Sequence, residues 1–303
     1  MISIVIPTYN RCNSVLALLS NIYLQEDEVF EVIVIDDCSC DDTVASVLRD
    51  FPRARLIVNE TNQGPCVARN RGIMAAQGVI VVGLDSDVAV HDRRLLVKVR
   101  ESFDRDPSTT GIAFRILMAD GITDDIPRWW HPVPIDRWRN KQFRTNYFSG
   151  TGYAFQRSSV VQAGLYPEIL FMHYEEVVLA YRMLDNGGAI RYCPQIRVLH
   201  HSGKEQRNSK IQVYYTPRNQ VIVALLCLPS WHCVGYLVPR LVYQFARAVY
   251  GAHLNQFLLA MRDVGGKIFQ IIECRKPLKI STIRRMRSMR MAGGRSREIE
   301  IGK

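Results

Sequence analysis

A chain of 303 residues with 48% apolar side chains is long enough for one large domain, or for one domain with a sizeable appendage, around a real core. Lys and Arg number 39 against 29 Asp and Glu, a net charge of +10, which favours an anionic partner such as nucleic acid, an acidic membrane surface or a phosphorylated substrate. Eight cysteines with no CxxC pair and no regular spacing argue against a zinc module or a disulfide framework and favour a reducing, cytosolic setting.

The opening "MISIVIPTYNR" carries no basic leader and too short an apolar run for a signal peptide, so residues 2 to 6 are expected to be the first buried strand. "NSVLALLSNIYLQ" then has helical spacing, "EVIVIDD" is a strand, and "DTVASVLRDF" is a helix. "RLIVNE", "PCVARNRGIMAAQ" and "VIVVGLD" continue as strand, helix and strand. This alternation predicts βαβ units and a mostly parallel sheet. After residue 115 the pattern turns irregular, with a long loop and short strands. "MHYEEVVLAYRMLDNGG" is a helix stopped by glycine, and "AIRYCPQIRVLHH" is a strand pair broken at Pro194. Residues 221 to 239 are nearly all apolar but are interrupted by Pro229, His232 and Gly235, marginal against the ~20 apolar residues of a spanning helix. Between Arg275 and Arg297 stand nine basic residues and no acidic one, a tail that is either solvated or laid on an anionic surface.

In a parallel sheet, ligands sit beyond the carboxyl ends of the strands. The polar residues there are Pro7, Thr8, Tyr9 and Asn10, then Asp36 and Asp37, then Asn62 to Gly64, then Asp85, Ser86 and Asp87. Two aspartates one residue apart at the mouth of a sheet need turn amides, a basic side chain or a metal ion to meet them. Asp and Ser are also ordinary turn residues, so each pair alone is equally compatible with a structural role.

Taken in order, "SIVIPTYNR", "EVIVIDDCSCDDT", "NQGPCVARNRGI", "VGLDSD", "SGTGYAFQRSSVVQAGLYPE", "HYEEVVLAYRMLDNGG" and "CPQIRVLHH" resemble the successive blocks of family 2 glycosyltransferases with the GT-A fold, across about residues 2 to 203. The resemblance implies an α/β catalytic domain over residues 1 to 205, with a nucleotide-sugar half to about 115 and an acceptor half from 116. Residues 206 to 303 would be a helical extension that associates with a membrane or oligomerises. It also implies inverting transfer of a sugar from a nucleotide-sugar, by family default a UDP-sugar, to the hydroxyl of a glycan or lipid-linked acceptor, with Mn2+ or Mg2+ bridging protein and diphosphate. Pro7, Tyr9 and Asp37 would face the base and ribose. Asn10, Arg69, Asp85 and Ser86 complete the donor rim. Asp87 would ligate the metal, with His200 as second ligand and His201 the alternative after a one-residue slip. Glu176 would be the base, where the family more often has aspartate, and Glu175 is the fallback.

Trp129, Trp130 and Trp138, interleaved with Arg137, Arg139, Lys141 and Arg144, either meet the acceptor or pack under the loop. No nucleic-acid partner is expected, and a homodimer is open. The setting expected is cytoplasmic, peripheral on the inner membrane face, with an anionic membrane surface as partner. Two other readings remain: a nucleotidyltransferase on a related sheet, and a non-catalytic membrane-bound module with the same fold.

Overall fold

A computed structural model describes residues 1–27, 29–201 and 209–294. Its elements are β1 (Ile2–Thr8), α1 (Cys12–Ile22), β2 (Phe30–Asp36), α2 (Thr43–Asp50), β3 (Arg55–Val58), α3 (Gly64–Ala75), β4 (Ile80–Leu84), β5 (Val88–Ala89), α4 (Leu95–Arg105), β6 (Thr109–Met118), α5 (Ile135–Trp138), β7 (Phe143–Thr145), β8 (Gly152–Gln156), α6 (Arg157–Gln162), α7 (Glu175–Asp185), β9 (Ala189–His200), α8 (Ser209–Cys227), α9 (Ser230–Tyr250), α10 (Leu254–Gly266), α11 (Ile268–Glu273) and α12 (Ile280–Gly294).

One sheet runs β3-β2-β1-β4-β8-β6-β9-β5, with β7 paired to β9. The first four strands are parallel, as their intervening helices require, and β1 is buried at every residue but Pro7. The other half is mixed: β6 runs parallel to β9, while β4·β8, β6·β8, β5·β9 and β7·β9 are antiparallel. The parallel half therefore ends its strands on the rim that carries Asp36, Asp37 and the Asp85–Ser86–Asp87 turn.

One segment differs from its sequence expectation. Residues 189 to 200 form one strand rather than a pair: opposite β6 the register jumps from Phe114↔Cys193 to Arg115↔Arg197, so Pro194, which has no amide to donate, sits in a bulge and the strand resumes beyond it. The apolar run 221 to 239 is divided at Pro229. Its first part lies in α8, where Ile222, Val223, Leu226 and Cys227 are buried against Leu179 and Met183 of α7. Among the described residues no helix is long and apolar enough to cross a membrane.

The basic segment is also partly bound. Leu278 and Ile283 join the same core. Lys279 donates its backbone amide to Asp185 Oδ1 (2.8 Å) and its Nζ to the Asp185 carbonyl (3.1 Å), and Arg285 donates to the carbonyls of Leu184 and Gly188. These cations meet carbonyls at the C-terminus of α7, where positive charge is favoured. Residues 295 to 303 lie outside the described residues.

Candidate active site

Asp85, at the end of β4, accepts from Arg69 Nη2 (2.8 Å), and the other guanidinium nitrogen of Arg69 reaches Glu175 Oε1 at 3.0 Å. Arg69 is 4% exposed. A buried cation thus ties the donor-side turn to the first residue of α7, across 106 positions of sequence. Burial works against its charge, but Asp85 and Glu175 outweigh that, so its pKa is raised. Glu176 follows on the next position of α7 and accepts from the Gly150 amide at 3.2 Å. A Cβ on Gly150 would stand 2.5 Å from Glu176 Oε1 and 2.8 Å from Arg69 Nη2, so any larger residue in the turn before β8 would displace these two side-chain ends. Burial, then the charge of Glu175, push Glu176 up to about 7, opposed by Arg69 and Arg128. Glu175 is raised too, by burial, although Arg69 pulls it down.

A second cluster assembles around Asp87, which is 8% exposed. Its Oδ2 accepts from Arg11 Nη1 (2.7 Å) and faces His200 Nε2 across 3.6 Å, beyond hydrogen-bonding distance. His200 is buried, its Nδ1 is bound to Asp125 Oδ2 at 2.6 Å, and its Nε2 has no hydrogen-bond partner. Burial pushes this imidazole down, but Asp125 and Asp87 outweigh it and hold the pKa up at about 9. A carboxylate fixing one ring nitrogen of a histidine while the other faces a second carboxylate is how metal-binding histidines are oriented. The donor set fits Mg2+ or Mn2+, which take one or two protein ligands and complete their shells with substrate phosphate and water. Among the described residues no group of three or more His, Cys, Asp or Glu is arranged to hold an ion by itself, in line with that division. His201 is exposed, and its amide donates to the Asp87 carbonyl; the buried position opposite Asp87 belongs to His200.

Around the donor rim, Asp37 accepts from Asn59 Nδ2 (2.6 Å), the Gln63 amide (3.0 Å) and the Gly64 amide (2.7 Å), so its carboxylate organises the turn into α3. Gly64 sits there at φ +85°, which a side chain would oppose. Asn10, also left-handed at φ 51°, accepts from the Cys40 amide at 2.8 Å and pins the loop after β1 to the loop after β2. Tyr9 is 46% exposed, Pro7 partly buried and Ser86 buried. Of the loop aromatics, Trp129 packs on His131, Phe143 and Tyr192, while Trp130 is exposed.

Four participants were not singled out in the sequence. Arg11 and Asp125 are described above. Arg128 is half-buried, and Asp85, Tyr147, Glu176 and Asp125 outweigh its desolvation and raise its pKa, which places a cation near Asp85, Asp125 and Glu176. Asn219, fully buried on α8, donates Nδ2 to the carbonyls of Leu170 (3.2 Å), Met172 (2.6 Å) and His173 (2.8 Å). It holds the loop that enters α7, in which Phe171, His173 and Tyr174 have φ of 63°, 68° and 69°, each costing about 1–3 kcal/mol. Arg218 adds Nη2 to the Ile169 carbonyl at 2.8 Å, and Gln220 Nε2 donates to Tyr174 Oη at 2.7 Å.

Sheet order and rim define the class first: the fold is that of GT-A glycosyltransferases. A mannosyltransferase from Pyrobaculum calidifontis, solved with GDP-Man and Mn2+, superposes with a TM-score of 0.59 at 19% identity over 97% of this chain and 85% of its own. S. aureus TarS residues 1–349 with UDP-GlcNAc gives 0.61 at 19% identity over 96% and 90%. The chain belongs to glycosyl transferase family 2, which matches residues 3–164, more than half of its length. The succinoglycan biosynthesis protein ExoO of Rhizobium meliloti (strain 1021) is 41% identical over 95 residues, 31% of this chain and 27% of that one. The matched stretches span only 27% to 36% of the first curated relatives.

Proposed function

We propose that the chain is an inverting, metal-dependent glycosyltransferase that moves a sugar from a nucleotide-sugar, a UDP-sugar first among them, to the hydroxyl of a glycan or lipid-linked glycan. The observation that carries this is that Asp87 lies 3.6 Å from His200 beside the strand end of Asp85, which Arg69 ties to Glu175 next to Glu176, itself pushed up to about 7. Asp87 and His200 would hold Mn2+ or Mg2+, which when bound stabilises negative charge growing on the departing diphosphate. Pro7, Tyr9, Asn10, Asp37 and Ser86 are assigned to the nucleoside side of the donor. Arg11 and Arg128 add fixed positive charge beside the diphosphate. Asp85 and Glu175 fix Arg69, so that α7 and the donor turn keep one spacing.

Glu176 accepts the proton of the acceptor hydroxyl as that oxygen bonds to the anomeric carbon. The bond from that carbon to the diphosphate oxygen breaks on the opposite face, and a single displacement inverts the configuration. A base near its working pH contributes about 10²- to 10⁴-fold. The test is a screen of nucleotide-sugars for manganese-dependent release of nucleoside diphosphate. Release of inorganic diphosphate instead would mean nucleotidyl transfer, and no turnover of any donor would remove the enzyme reading.

We further place the protein at the cytoplasmic face of a membrane, held peripherally. Residues 209 to 294 contain thirteen Lys or Arg and two Asp or Glu, more than the whole net charge of the chain. On α9, Trp231, Val234, Val238, Val242, Phe245 and Val249 recur at helical spacing and are 49% to 69% exposed. An exposed apolar stripe on a basic segment suits an anionic bilayer surface. Flotation with anionic liposomes tests this. Salt-sensitive binding lost in Val238→Asp/Val242→Asp is expected; no flotation, or a dimer in light scattering that the same variant dissociates, would assign the stripe to a second copy.

A further inference from the structure

A cavity of about 280 Å3 lies between α7, the loop before β8, and α9. Trp130, Tyr147, Tyr174, Tyr181 and Tyr236 line it, with Arg240 at its edge. It adjoins the base: Tyr174 precedes the Glu175–Glu176 pair, Val177 follows it and also lines the cavity, and Tyr147 is close enough to Glu176 and Arg128 to feel both charges. Trp130 stacks on Tyr147 at 5.7 Å and 24° and lies 5.1 Å from Tyr174, and it is still 47% exposed. The lining is therefore an aromatic platform open to a ligand and not a closed core. Its volume is just under the ~300–1,000 Å3 of pockets for drug-sized molecules, which suits a ring-sized group.

Among the described residues, Arg240 is the one cation that lines the cavity. Its guanidinium lies 3.8 Å from the Tyr236 ring centroid, and its Nη1 donates to the Tyr236 carbonyl at 2.9 Å. Among the described residues it has no carboxylate partner, and no acidic side chain lines the cavity. Pyranose rings present an apolar C–H face that aromatic rings cover, and a guanidinium takes a carboxylate or phosphate through paired donors.

We propose that this cavity binds the acceptor and that the acceptor is an anionic saccharide, one ring on the Trp130 platform and its carboxylate or phosphate on Arg240. This rests on the glycosyltransferase reading with Glu176 as base. The extension then supplies part of the acceptor site, because Tyr236 and Arg240 belong to α9.

The test is ligand-observed NMR titration of the full chain with three probes: methyl β-glucuronide, glucose 1-phosphate and methyl β-glucoside. Both anionic probes, or one of them, are expected to bind at least about tenfold more tightly than the neutral one, and the stronger of the two tells carboxylate from phosphate. Arg240→Gln should erase that preference, Arg240→Lys should keep part of it, and Trp130→Ala should weaken all three. Equal binding of charged and neutral probes, no binding of any probe, or an unchanged preference in Arg240→Gln would overturn the proposal. Nucleotide-sugar binding by the wild-type protein is read separately. Its absence would strike the glycosyltransferase reading, whereas normal donor binding with silent probes would strike the acceptor site alone.

Discussion

Replacing Glu176 by glutamine keeps the shape and the acceptor of the Gly150 amide but removes the basic oxygen. If Glu176 takes the acceptor's proton, transfer falls by about 10²- to 10⁴-fold while donor affinity stays within a factor of two or so. Stability should move the other way. The folded-state pKa of about 7 lies above the ordinary 4.5, so the carboxyl is protonated in both states below pH 4.5, and the folded protein loses stability as pH rises through 7 and the charge is forced into a buried site. The full difference corresponds to about 3 kcal/mol, and sharing the proton with Glu175 lowers it, which leaves about 1–3 kcal/mol. Glu176→Gln, which never ionises, is therefore expected to melt roughly 2–10 °C higher than wild type at pH 8 and almost level with it at pH 5. Thermal melts at the two pH values, run beside transfer kinetics, read both quantities. A variant that is inactive and also less stable at pH 8 would make Glu176 a structural residue. Near-normal activity would move the base to Glu175. In wild type, transfer should fall tenfold per pH unit below about 7 as Glu176 takes up its proton.

Two further substitutions address the supports of the site. Asn219→Ala takes the side-chain donor from the Met172 and His173 carbonyls and one donor from that of Leu170, which keeps the Met172 amide and Arg218, a loss of about 2–4 kcal/mol, and should lower transfer at least tenfold while nucleotide affinity holds; loss of nucleotide affinity in step with transfer would mean general unfolding. Asp125→Ala frees the ring of His200 and should weaken manganese binding, read by electron paramagnetic resonance with UDP present, by roughly 10- to 100-fold; an unchanged affinity would remove His200 from the metal site.

The parallel half of the sheet was legible because each of its elements carries its own period: continuous apolar strands, amphipathic helices, and polar residues at each strand's end. The order of blocks pointed to Asp85, Asp87, Glu176 and His200; the structure sets Asp87 opposite His200 and links Asp85 through Arg69 to Glu175, the neighbour of Glu176. What the sequence concealed lies in partnerships between distant residues of ordinary type. Arg11 meets Asp87 across 76 positions, and Asp125 meets His200 across 75. Nothing local distinguishes Asn219 from any other helical asparagine until the loop it clamps is in place. The extension was harder for a different reason. Residues 221 to 227 and the stripe from Trp231 to Val249 are both apolar, yet most of the first is buried against the core that includes α7 and the second is exposed, because this stretch of α8 packs on that core and the α9 stripe does not. Lys279 and Arg285, counted among tail charges, are spent on the C-terminus of α7.

The central claim is that Asp87 holds a divalent cation for a nucleoside diphosphate, and calorimetric titration of UDP and GDP into wild type and Asp87→Ala, with manganese and with EDTA, tests it most directly. Wild type should bind one of the two nucleotides at least tenfold more tightly with manganese, and Asp87→Ala should bind it equally weakly with and without the ion. The same manganese enhancement in both proteins, or none in wild type, would contradict the account.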